Sequence, residues 1–88
     1  MKIKSGFVLE EVGGSYLAVA VGRAAKKFSG MVKMNGTGAF LWRELEAGDK
    51  TVDELVEALT GEYEVDEATA RAGVSSFVAK LLDGGILE

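Results

Sequence analysis

The chain has 88 residues, enough for one domain that buries only about 60 to 65% of its unfolded surface, so its apolar residues are nearly all needed for the core. It contains no Cys and no His, which excludes disulfide staples, thiolate chemistry and the commonest general base and metal ligand. The net charge of -4 conceals a balance of +3 over residues 1–50 and -7 over residues 51–88, so a polyanion is repelled by the second half and only weakly attracted by the first.

The start, Met1-Lys2-Ile3-Lys4, has charge but no apolar run behind it, and no segment approaches the roughly 18 to 20 apolar residues of a membrane span. A soluble, cytoplasmic protein is the expectation, with no membrane partner. Residues 7–12 and 15–21 are rich in β-branched and aromatic side chains, and Gly13-Gly14 between them suits a two-residue hairpin turn. Residues 22–27 read as a polar connection carrying Arg23, Lys26 and Lys27. Residues 28–34 read as a third strand, with Phe28, Gly30, Val32 and Met34 on one face and Ser29, Met31 and Lys33 on the other.

After Met34 the apolar spacing changes from two to three and four. Asn35 is placed as an N-cap, and Gly36 and Gly38 in the first turn let other chain approach closely. A helix over residues 37–46 follows, with Trp42 as an inward anchor and Gly48 at the left-handed position that ends it. Thr51 and Glu54 form a capping box. Val52, Leu55, Val56 and Leu59 make the apolar stripe of a second helix, ended by Gly61. Asp66 caps a last helix over residues 67–82, in which Ala70, Val74, Phe77 and Leu81 form the core stripe before Gly84-Gly85 stops it. The order implies a single α+β domain over residues 1–88: a three-stranded antiparallel sheet followed by three helices, which can form the tri-helical core of a winged helix.

Motifs that carry chemistry are scarce. No Gly-rich loop ends in Lys-Ser or Lys-Thr, and Gly36-Thr37-Gly38 lacks the rest of a dinucleotide fingerprint. Glu54 with Glu57, and Asp66 with Glu67, are explained as helix-start acids and solvated faces. Neither catalysis nor a cofactor is expected of this chain alone.

The ordered set Met34-Asn35, Gly38-Ala39, Leu41-Trp42, Leu45, Gly48, Thr51-Val52, Glu54-Leu55-Val56, Leu59, Tyr63, Val65-Asp66, Val74, Phe77-Val78, Leu81-Leu82 and Gly85-Ile86-Leu87 resembles the signature of the PqqD-like family. One departure is Gly73, where many relatives carry Asp. The resemblance implies a RiPP recognition element, which binds the leader of a ribosomally made precursor peptide and presents it to a modifying enzyme, often a radical S-adenosylmethionine enzyme. It implies that the leader joins as an extra strand beside the third strand, in a groove closed by the last helix; main-chain hydrogen bonds then give affinity and side-chain pockets give specificity. Carried over by position, the strand wall is Phe28, Ser29, Gly30, Met31, Val32 and Lys33. The helix wall is Arg71, Ser75, Val78 and Leu82, with Val74 of the core stripe beside them. Phe28, Val32 and Val78 read equally well as plain core. On the groove reading, Val78→Asp abolishes binding and leaves the fold intact. Lys26, Lys27 and Lys33 would attract an acidic leader. Two other readings stand beside this one: a winged-helix DNA binder, poor in phosphate contacts because its last helix offers only Arg71 and Lys80, and a small subunit that packs on an enzyme or, as a homodimer, on itself.

Overall fold

The computed structural model describes residues 1–27 and 31–88. Strands β1 (Phe7–Val12) and β2 (Ser15–Ala20) are joined by Gly13 and Gly14 at φ 56° and 84°, the two positive values that match a hairpin turn to strand twist. β3 (Met31–Met34) pairs antiparallel with β2, Tyr16 opposite Met34 and Val19 opposite Met31, giving the order β1-β2-β3. The third strand is therefore an edge strand.

The register decides which backbone groups of that edge face outward. A two-residue loop makes Val12 and Ser15 a hydrogen-bonded pair. Backbone direction then alternates along β2, so Ser15, Leu17 and Val19 bond toward β1 while Tyr16 and Ala18 bond toward β3. On β3, Val32 and Met34 face β2, and the N–H and C=O of Met31 and Lys33 face away from the sheet. The same alternation places Phe7, Leu9, Tyr16, Ala18, Val32 and Met34 on the face that packs against the helices.

Among the described residues, three of the four helices begin as expected. In α2 (Gly36–Ala47) Asn35 Oδ1 accepts the Gly38 amide at 2.9 Å. A Cβ on Gly38 would lie 2.9 Å from that of Met34, so glycine here lets α2 start hard against β3. In α3 (Val52–Glu62) Thr51 and Glu54 complete the capping box at 3.1 and 3.0 Å. In α4 (Glu67–Asp83) Asp66 Oδ1 accepts the Thr69 amide at 3.0 Å, a bond that holds the Asp66 carboxyl below its ordinary pKa. Gly85, at φ 71°, ends α4: its amide reaches Leu82 O and the Ile86 amide reaches Leu81 O, the paired bonds of a Schellman motif.

Four sequence expectations need correction or bounding. The connection over residues 22–27 contains a one-turn helix, α1 (Ala24–Lys27), because Ala-Ala-Lys-Lys is a run of strong helix formers. The third strand, expected over residues 28–34, is described from Met31 onward, and Phe28, Ser29 and Gly30 lie outside the described residues. Gly61 does not end α3, which runs on to Glu62 with an extended Tyr63 as its C-cap; an exposed glycine one residue from the end costs the helix only about 1 kcal/mol relative to alanine. Gly48 is extended at φ 171°, not left-handed. The chain leaves α2 straight because the N-terminal segment meets it there, with the Lys50 amide bonded to Met1 O at 2.9 Å.

That N-terminal segment is structural. Lys4 N donates to Ile86 O and Glu88 N to Lys2 O, both at 2.9 Å, around an antiparallel bridge between Ile3 and Leu87. The core beneath is built from Leu41, Trp42, Leu45, Leu55, Val74 and Leu81, each buried. Among the described residues no helix is long and apolar enough to cross a membrane.

Candidate functional site

The β3 edge offers two outward amides and two outward carbonyls, those of Met31 and Lys33. Edge groups that no strand pairs require water, a side chain or another strand. Around them, the Met31 side chain is 62% exposed on the outer face, Lys33 is exposed, and Val32 is half-buried on the inner face.

The helix α4 reaches this edge through one side chain, and two side-chain contacts mark how it is turned, a rotation set by its buried residues Ala70, Val74, Val78 and Leu81. Lys80 Nζ donates to the Lys33 carbonyl oxygen at 2.8 Å. Arg71 Nη1 donates to Asp53 Oδ1 of α3 at 2.8 Å, and its Nη2 to Glu67 Oε1 at 3.2 Å. These carboxylates, Asp53 first, hold the Arg71 guanidinium more firmly charged than usual. Positions nine apart differ by about two and a half turns, so Arg71 and Lys80 project to opposite sides of α4, one to α3 and the other to β3.

This geometry redistributes the residues expected to line a groove. The stripe Arg71, Ser75, Val78 and Leu82 centres on the α3 side, away from the β3 edge. Val74 is fully buried and Val78 is 8% exposed, so both serve the core, and Val78→Asp would place a charge there and unfold the domain. Leu82 is 61% exposed, on the flank away from Lys80. Phe77, expected on the core stripe, is only partly buried. The flank that meets β3 carries Lys80 with Phe77 one turn and Gly73 two turns before it. The wall carried over by position does not include Phe77 and Lys80, which border β3 here, because an apolar stripe shows its own width and not the neighbour that each border faces.

Two surface depressions lie elsewhere. One, between α3 and α4, is lined by Asp53, Val56, Glu57, Thr60, Glu67 and Arg71, and the Arg71 ion pairs form part of its wall. The other is lined by Lys4, Ser5, Arg23, Ala24, Lys27 and Glu88. Among the described residues no group of three or more Asp or Glu is placed to hold a metal ion.

The family model described as coenzyme PQQ synthesis protein D (PqqD) matches residues 6–87. A solved structure, "TbiB1 in Complex with the TbiA(beta) Leader Peptide", is similar over 100% of this chain and 95% of that one, with 25% identity and a TM-score of 0.75. No curated protein matches the chain.

Proposed function

The chain belongs to the PqqD family, and from that premise we propose that it binds the leader segment of a ribosomally made precursor peptide by strand addition at β3 and presents the peptide to a modifying enzyme. The observation that carries this reading is the outward pair of peptide groups at Met31 and Lys33, set beside a helix flank and not covered by another described strand. Strand addition gives a ligand main-chain hydrogen bonds at such an edge, and alternate side chains of the ligand then point toward α4. The likeness to a protein solved with a leader peptide supports the same reading. The enzyme served is, on this proposal, of the radical S-adenosylmethionine class, and the chain itself supplies recognition and not catalysis.

A pull-down from native cell extract, read by mass spectrometry, tests the proposal. A short precursor peptide and an enzyme that modifies it are the expected companions. Recovery of large stable partners with no peptide would favour a structural subunit instead. Nucleic acid is expected not to bind. The -7 balance of the helical half and the engagement of Arg71 by two carboxylates leave α4 without the free cations a recognition helix needs. A fluorescence polarisation titration with duplex DNA at physiological salt should stay flat. Micromolar, salt-sensitive binding lost on Arg71→Glu would move the assignment to a winged-helix regulator.

A further inference from the structure

Lys80 is the one side chain of α4 shown bonded to the β3 backbone among the described residues. Its acceptor, the Lys33 carbonyl, is one of the two carbonyls that the sheet register turns outward, and so is a group that an added strand would use. We propose that Lys80 is a specificity-determining residue that reads a carboxylate on the incoming peptide strand, an inference that rests on the strand-addition reading above.

An incoming residue that pairs with Lys33 places its N–H on the Lys33 carbonyl and its side chain on the same face as that of Lys33, the outer face. The residues on either side of it then point to the inner face, toward α4. When the peptide N–H takes the position in line with the carbonyl, the ammonium of Lys80 loses its acceptor there. Its four-carbon stem keeps it within reach of the strand that displaced it. The freed ammonium is exposed and hydrated, and a carboxylate on the incoming strand gives it a stronger, charge-assisted bond than a carbonyl. The peptide class selected is therefore one with Asp or Glu next to the residue that pairs with Lys33, on the α4-facing side. Lys33 itself, pointing to the outer face, reads a different row of the ligand, so the two lysines are separable by register.

Selection from a random peptide library displayed on phage tests this with the full chain. Peptides chosen by the wild type should be enriched in Asp or Glu at one position. Lys80→Glu should reverse that position to Lys or Arg, and Lys80→Met, which keeps the stem, should erase the preference. For an individual wild-type-selected peptide, Lys80→Glu should weaken binding at least tenfold, with Glu→Lys in the peptide restoring it. Peptides that shift the Met31 and Lys33 amides but show the same profile with all three proteins would overturn the role of Lys80 and leave strand addition standing. If no selected peptide touches the β3 edge, both the strand-addition reading and the role of Lys80 fail.

Discussion

Replacing Trp42 with alanine is expected to cost about 3 to 5 kcal/mol, a large part of the 5 to 15 kcal/mol or so that holds a domain folded. The Trp42 side chain is fully buried on α2. Its ring meets that of Phe7 edge-on, with centroids 6.1 Å apart and planes at 78°, and so ties the first helix after the sheet to the first strand. Truncation removes that contact and leaves a cavity that a small core cannot close. The indole Nε1 is buried with no hydrogen-bond partner among the described residues, and an unsatisfied donor is itself a cost. Trp42→Phe, which keeps a ring and deletes the donor, is therefore expected to be much milder than Trp42→Ala. Chemical denaturation of the two variants separates them. A wild-type midpoint for the alanine variant would show that α2 does not depend on this ring.

Lys33→Pro is expected to abolish peptide binding while the domain stays folded. Proline removes the backbone N–H and puts a ring in its place. At Lys33 that N–H faces away from the sheet, so no bond to β2 is lost, and an edge strand accepts proline where the missing amide faces solvent. An incoming strand, by contrast, loses a donor and meets the pyrrolidine ring. A loss of at least about tenfold in affinity corresponds to a single hydrogen bond at the upper end of its net worth. Lys33→Met keeps the amide and loses only the charge, and should bind far better than the proline variant. Val32→Pro, one position away, deletes an amide that faces β2 and should unfold the sheet edge. Calorimetric binding and thermal melts of the three variants check this alternation. Equal behaviour of the variants at 32 and 33 would mean that the register is shifted.

What was legible in the sequence is what short-range chemistry determines. Gly13-Gly14, the caps at Asn35, Thr51 and Asp66, and the change of period after Met34 each act over a few residues, and the structure keeps each one. The resemblance implies a ligand strand beside the third strand, which requires β3 at an edge, and the strand order agrees. The misread features depend on partners far along the chain. Gly48 is extended because Lys50 meets Met1, and residues 2–4 matter because they pair with the last three. Which flank of α4 faces β3 depends on the rotation set by its buried residues Ala70, Val74, Val78 and Leu81, and the bonds of Arg71 to Asp53 and of Lys80 to the Lys33 carbonyl mark its two sides. Nothing in the local pattern of residues 67–82 distinguishes Val78 from Phe77 as the deeper of the two.

The central claim is strand addition at β3, and an amide-resolved NMR titration of the labelled chain with the leader recovered by pull-down tests it most directly. The amides of Met31 and Lys33, which face outward, should move most and become protected from hydrogen exchange. Those of Val32 and Met34, already bonded toward β2, should move less, and Gly13 and Gly14 at the far turn should stay in place. Shifts confined to Gly13 and Gly14, with Met31 and Lys33 silent at saturation, would contradict the account.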